Sequence, residues 1–262
     1  MKTGLKYGDK VYYCDELHDE VVDFRIKKKP IDENYCYERK GFFYRLGNFI
    51  TYRLFLIPVI GIYKFFAGVR VKNRQVLKKV KGAYFLYGNH TNQLWDAFTP
   101  TFVTFPKQPY LIVGADNVSQ PVLGYFTKMW GALPLPENFQ AAKNFKRALD
   151  HKIQKGSPVV IYPEEHMWPY YTKIRPFEDK SFTYPVKYNV PMFTLTTTYR
   201  KRKLGKKPRM DVYVDGPFYP DQNLDPKVAQ KQLRDIAHQT MCARAEQSNY
   251  KYLTYVKKEK HD

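Results

Sequence analysis

Cysteine is scarce: Cys14, Cys36 and Cys242 are the only ones in the chain. An odd number at wide separations gives no zinc-ligand or redox spacing and no disulfide framework. A reducing, cytosolic setting fits this usage best. Long uncharged apolar runs are missing too. The longest in the first third is Leu54 to Tyr63, bounded by Arg53 and Lys64 and broken by Pro58 and Gly61. A membrane span needs roughly 20 apolar residues, so none is predicted. Met1 to Tyr13 is polar and charged, and no secretory signal is read there. Acidic residues are outnumbered, 25 against 44 Lys and Arg, which leaves a net charge of +19. A surplus of that size speaks of partners rather than fold: nucleic acid, anionic lipid or an acidic carrier protein. Solubility alone needs far less.

Enough apolar material is present for a core, at 44% of 262 residues, which argues against low-complexity disorder. The length is near the upper end for one domain, so one core with appendages is expected. The 23 Tyr must often sit half in an apolar environment, because a buried phenol wants a partner. That suits a membrane boundary, a nucleobase platform or an ordinary interior. Phe42 to Val69 sets Arg45, Arg53 and Lys64 among Phe, Tyr, Leu and Ile. The pattern fits a helix, or a helix pair bent near Pro58, lying in the headgroup layer with its basic residues snorkelling. A core helix packed on the domain fits it nearly as well.

Three regions follow: an N-terminal arm at 1–40, amphipathic membrane-docking helices at 41–72, and a catalytic domain at 73–262. The arm is charged and Tyr-rich, with Lys27-Lys28-Lys29 before Pro30. Asn73 to Lys81 reads as a basic connector. Strands are predicted at Ala83–Tyr87, Tyr110–Val113, Val159–Tyr162, Pro191–Tyr199 and Met210–Val214. A helix starting near Trp95 is limited by Pro100. The clearest helix runs from Asn138 to Lys155, capped by Asn138, with Ala142, Phe145, Leu149 and Ile153 on one stripe and Gly156 at its end. The last begins at Asp225-Pro226, a cap followed by proline at the first helical position. The basic tail from Lys251 reads as frayed. Strands alternating with helices predict an α/β fold with a central mixed, mostly parallel sheet flanked by helices, behind the N-terminal amphipathic segment.

In open α/β sheets, ligands sit beyond the carboxyl ends of the strands. Two polar segments occur there: Asn89-His90-Thr91-Asn92-Gln93-Leu94-Trp95-Asp96, and Tyr162-Pro163-Glu164-Glu165-His166. A His with a nearby acid is the minimal general-base unit, the acid fixing the tautomer and stabilising the imidazolium. Taken alone, a capping Asp and a solvated His explain the first segment as well.

Four segments in order change that weighing: Asn89-His90 with Asp96, Gly131-Ala132-Leu133-Pro134-Leu135, Tyr162-Pro163-Glu164, and Val190-Pro191-Met192-Phe193. Together they resemble the glycerolipid acyltransferase family, over about Gly82 to Tyr199. Its blocks are Asn-His then Asp, a Gly with an apolar run ending in Arg, Phe-Pro-Glu-Gly-Thr-Arg, and an apolar run around Val-Pro. The resemblance implies that His90 deprotonates an acceptor hydroxyl, oriented by Asp96. The alkoxide would attack the thioester of acyl-CoA or an acidic acyl carrier protein. Asn89, Gly131, Glu164 and Glu165 would shape the acceptor site. No metal and no cofactor beyond the acyl donor is implied. An anionic membrane surface and a lipid acceptor are the expected partners, on the cytoplasmic face, and nucleic acid is not.

The chain departs from the pattern in two ways. Five residues separate His90 from Asp96 where the family has four, a change of about 100° if carried on a helix. The family's arginines fall on Glu137 and on Met167 of Glu165-His166-Met167. Lys173 and Arg175, with Lys180, are the candidates to replace them at an acceptor phosphate. Rival readings are a non-catalytic lipid-binding or nucleic-acid-binding protein, and a metal-dependent hydrolase built on Glu164, Glu165 and His166.

Overall fold

The computed structural model describes residues 4–22, 27–39 and 41–258. The rest of the N-terminal arm, and the end of the basic tail, lie outside the described residues. In chain order the elements are β1 (Lys10–Tyr13), α1 (Phe42–Phe49), a π-helical stretch (Ile50–Leu56), α2 (Ile57–Ala67), β2 (Val69–Lys72), a 3-10 helix (Arg74–Lys79) and β3 (Tyr84–Gly88). Next come α3 (Gln93–Thr104), β4 (Tyr110–Val113), α4 (Ala115–Ser119), α5 (Leu123–Met129), β5 (Ala132–Pro134), α6 (Phe139–Gln154) and β6 (Pro158–Ile161). A 3-10 turn (Lys180–Phe182), α7 (Thr183–Tyr188), β7 (Met192–Arg200), β8 (Arg209–Phe218), α8 (Pro226–Ala245) and β9 (Thr254–Lys257) complete it.

Seven strands form one sheet in the order β2-β8-β7-β3-β6-β4-β5. All neighbours pair in parallel except β7 with β8. β3 lies in the middle and every residue of it is buried, as expected where both faces of a parallel sheet are covered. Its alternate side chains feed two cores. Tyr84 and Leu86 pack on the face that holds Tyr52, Leu56 and Ile60 of the N-terminal helix and Trp95 and Val103 of α3. Phe85 and Tyr87 pack on the face covered by Phe145 and Leu149 of α6 and Leu233, Ala237 and Met241 of α8. The predicted caps are present: Asn138 accepts from Ala141 N, and Asp225 from Lys227 N.

Phe42–Ala67 is one continuous helix of 26 residues, with mean hydropathy 1.5 over its most apolar stretch. Counting only the uncharged run understated it: by length and composition it is sufficient to cross a membrane. Pro58 does not break it; it follows directly on the π-helical stretch Ile50–Leu56, a local widening of the helix. Gly68, at φ 68°, ends the helix. Among the described residues of this helix, Tyr52, Leu56 and Ile60 are buried as a stripe. Phe42, Phe43, Leu54, Phe55, Ile62, Phe65 and Phe66 are exposed, so the helix rests on the domain and turns a broad apolar face outward.

The chain ends differ from expectation. The tail is not frayed at Thr254–Lys257, which pairs in parallel with Lys10–Tyr13 of the arm. Trp168 supplies the reason: its indole stacks on Tyr255 at 5.3 Å and meets Tyr13 at 4.7 Å. Aromatic packing between segments far apart in sequence has no local periodicity to announce it.

Candidate active site

β3 ends in Gly88, and the chain turns at its carboxyl end into the loop 89–92. A Cβ at Gly88 would stand 2.5 Å from the ring of Tyr162, so only glycine lets that ring cross there. Asn89 then pins the loop to the sheet. Its amide donates to Thr197 O at 3.0 Å and accepts from Thr197 N at 2.8 Å. Asn92 caps α3 by accepting from Trp95 N, which places Asp96 in the first turn of that helix.

The His90 imidazole and Asp96 meet, with Nδ1 to Oδ2 at 2.8 Å. The same oxygen accepts from Thr91 N at 2.8 Å and Asn92 N at 2.7 Å. A carboxylate oxygen that gathers backbone N–H groups is an acceptor, so Nδ1 carries the proton and donates it. Nε2 is then left with a free lone pair. Asp96 is almost fully buried, whereas a quarter of the His90 side chain reaches solvent. Of the five intervening residues, Thr91 and Asn92 form the loop before the helix, and both turn their N–H groups to Asp96, which stays aimed at His90.

Tyr162 stacks on His90, ring centres 4.9 Å apart, and donates its hydroxyl to Asp96 O. Burial, helped by the charge of Asp96, raises this phenol well above its ordinary pKa and keeps it a neutral donor. Glu164 is buried and divides its carboxylate between two backbone N–H groups, His90 N at 2.8 Å and Arg175 N at 2.9 Å. Burial raises its pKa, outweighing the lowering by Arg175 and these hydrogen bonds. The next loop backs the site, as Trp168 N donates to His90 O and Tyr170 N to Thr91 O.

A family model for acyltransferases matches residues 68–198, half of the chain. The chain belongs to the acyltransferase family. No curated protein matches it in sequence. Among solved structures, the 1-acyl-sn-glycerophosphate (LPA) acyltransferase PlsC from Thermotoga maritima is similar over 80% of this chain and 89% of its own. The TM-score is 0.54 at 15% identity, a likeness of fold.

In this acyltransferase the expected residues divide. His90, Asp96, Asn89 and Glu164 come together as described. Gly131 does not join them. It aligns with Tyr110 at the amino-terminal end of the strands, and its φ of 106° and close approach to Pro109 O show a packing role. Arg175 is also corrected. It is fully buried, stacks on Trp168, and donates to Glu164 O, His166 O and Glu16 O, so its guanidinium braces the loop rather than facing a ligand. Lys173 and Glu165 are exposed, the latter at a turn with φ 61°. Arg45 is exposed, while Arg53 donates to Pro106 O and Lys64 lies over the Phe102 ring. Among the described residues, no three His, Cys, Asp or Glu side chains converge as a metal site requires.

A cleft of about 720 Å³ flanks the site loop, with Thr91, Asn92 and Trp95 on one wall and Met167 and Tyr170 on another. Met167 stands where the family resemblance places an arginine. The cations of this cleft are Lys6, Arg202 and Lys207, none of which was anticipated. A signal was available: seven of the ten residues Arg200 to Arg209 are Lys or Arg, the densest basic run in the chain.

Proposed function

We propose that the protein is a peripheral membrane O-acyltransferase of lipid synthesis. It moves an acyl chain from a thioester, acyl-CoA or an acyl carrier protein, to a hydroxyl of a lysophospholipid, glycerol-phosphate or glycolipid-type acceptor. The observation that carries this reading is the 2.8 Å hydrogen bond from His90 Nδ1 to Asp96, which leaves Nε2 as a base at the carboxyl end of β3.

In the reaction, Nε2 takes the acceptor's hydroxyl proton as the oxygen attacks the thioester carbonyl carbon. Asp96 stabilises the imidazolium. The tetrahedral intermediate collapses, the C–S bond breaks, and the thiolate leaves with the proton held by His90. Every proton is accounted for by one imidazole, and no covalent enzyme intermediate is required. Glu164 holds the His90 backbone and, through it, the ring.

The outward apolar face of Phe42–Ala67 supports the membrane part of the reading, since an exposed apolar area of this extent is unusual on a soluble protein. The Tyr52, Leu56 and Ile60 stripe against the domain favours a helix lying in the interface over one that crosses it. Thiol release from acyl-CoA or acyl carrier protein, in the presence of lysophospholipid, tests the assignment. His90→Ala is expected to abolish it with the circular dichroism spectrum unchanged. Wild-type turnover by a folded His90→Ala protein overturns the mechanism.

A further inference from the structure

The cations of the cleft beside the site loop come from parts of the chain far from the four sequence blocks. Lys6 comes from the N-terminal arm, and Arg202 and Lys207 from the connection between β7 and β8. All three lie outside residues 68–198. The cleft contains these three cations, and no Asp or Glu lines it among the described residues. Its volume falls inside the range of roughly 300–1,000 Å³ typical of small-molecule sites. Lys6 and Lys207 are exposed and point charges of the kind that meet phosphate.

Arg202 has a different task. Its guanidinium donates to Phe66 O at 3.1 Å and to Ala67 O, the last carbonyls of α2. A cation there satisfies carbonyls that the helix leaves unpaired and complements its dipole. Gly68 makes room for it, since a Cβ at that position would stand 3.0 Å from Arg202 Nη2. One residue therefore ties the end of the apolar helix to the rim of the cleft, next to exposed Phe65 and Phe66. The apolar surface and the cationic cleft are held at a fixed spacing.

We propose that this cleft binds the phosphate-bearing end of a substrate, with Lys6 and Lys207 as its charge and Arg202 as the anchor that positions it against the apolar helix. The proposal deepens the acyltransferase reading and rests on it for the word substrate. Phosphate enters from two sources, the glycerol-phosphate end of the acceptor or the nucleotide end of acyl-CoA. The chemistry recognised is the same for both.

The test uses the full chain with both lysines changed, Lys6→Ala and Lys207→Ala together, exposed sites whose truncation leaves the core untouched. Two probes are titrated calorimetrically, glycerol 3-phosphate and adenosine 3′,5′-bisphosphate. Wild type is expected to bind one of them, and the double variant to bind it about tenfold or more weakly. Raising salt should weaken the wild-type affinity in the same way. In the assay, KM for the corresponding substrate alone should rise, with kcat within about twofold. Binding is measured again on His90→Ala, where it should persist. That separates the two ideas: loss of catalysis with phosphate binding intact is the expected result, and turnover by His90→Ala sinks only the chemistry. Wild type binding neither probe, or a double variant binding as wild type does, overturns the phosphate site.

Discussion

Asp96→Asn isolates the catalytic pair from the fold. Asp96 Oδ2 accepts three hydrogen bonds, from His90 Nδ1, Thr91 N and Asn92 N. An alanine would strand the two buried backbone donors, at about 1–3 kcal/mol for each unsatisfied group, and confuse instability with lost chemistry. Asparagine keeps an oxygen of the same shape in the same place. It can still accept from Thr91 N and Asn92 N, so the fold loses only the charge assistance of those bonds, about 1 kcal/mol. The catalytic loss is larger, because the imidazolium formed when His90 takes a proton no longer faces an anion. General-base assistance is commonly about 10²–10⁴-fold, and kcat for thiol release should fall within that range. kcat/KM should fall by the same factor, since the interaction exists only once the charge develops. Thiol-release assays with saturating acceptor measure kcat, and thermal unfolding measures the cost to the fold. A kcat within about threefold of wild type, with the midpoint of unfolding unchanged, would refute the role given to Asp96.

Other outcomes follow from the same contacts. Gly88→Ala places a carbon 2.5 Å from the Tyr162 ring that stacks on His90, so overpacking should cost about 1–3 kcal/mol in urea unfolding and lower kcat; equal stability and activity would show that the ring moves freely. Asn89→Ala removes both hydrogen bonds to Thr197 and leaves two buried backbone groups unpaired, so it should destabilise by roughly 2–4 kcal/mol, again read by urea. Replacing Phe42, Phe43, Phe65 and Phe66 with Ser removes exposed rings worth about 1.5 kcal/mol or more each if they enter lipid. Flotation with anionic phospholipid vesicles should be lost while thermal stability is kept, and unchanged flotation counts against the docking helix. Glu164 has a pKa raised mainly by burial, so between its unfolded value and its folded one the native state holds the extra proton. Stability therefore falls as pH rises through that window: the margin of wild type over Glu164→Gln should shrink as pH rises above the ordinary carboxylate value of about 4, and a growing margin would contradict the sign.

The His90–Asp96 contact was legible because it is local. His90, Asp96 and the turn between them lie on one strand–loop–helix passage, and the alternation of Ala83–Tyr87 with the Trp95 helix placed that passage at the carboxyl end of a strand. The caps at Asn138 and Asp225 were readable for the same reason, since a cap and its N–H donor are neighbours in sequence. What escaped was non-local. Nothing near Trp168 says that Tyr13 and Tyr255 sandwich it, and so the β1–β9 pair was missed. Nothing near Arg175 says that it is buried, and on charge alone it looked like a ligand. Gly131 was grouped with the site because its block stands in order with the others, but sequence order does not say which end of a strand a residue occupies. The length of the apolar helix was understated because Arg53 and Lys64 interrupt the run, yet both reach polar or aromatic neighbours beside the helix.

Glu164 and Arg175 place two opposite buried charges behind the His90 loop, linked through backbone groups rather than carboxylate to guanidinium. Burial lowers the Arg175 pKa and raises that of Glu164, so desolvation outweighs their mutual attraction at both ends. Such a pair is poor at adding stability, and apolar residues of similar volume often do as well. Its value lies in geometry. Each Glu164 oxygen is committed to a separate backbone N–H, one of them His90 N, and Arg175 in turn grips Glu164 O and His166 O. A leucine at 164 could fill the space, but it could not fix His90 N to within a hydrogen bond. The prediction is a split. Glu164→Leu with Arg175→Leu should retain a cooperative fold at reduced stability, since two buried charges leave together while His90 N and Arg175 N lose their acceptor. It should also lose kcat, because the His90 backbone is then no longer fixed by a carboxylate. Glu164→Leu alone should unfold more easily than the double variant, because the buried Arg175 guanidinium then lacks its opposing charge. If the double variant turns over as wild type does, the two residues serve the fold alone, and Asp96, Tyr162 and the 168–170 loop suffice to align His90.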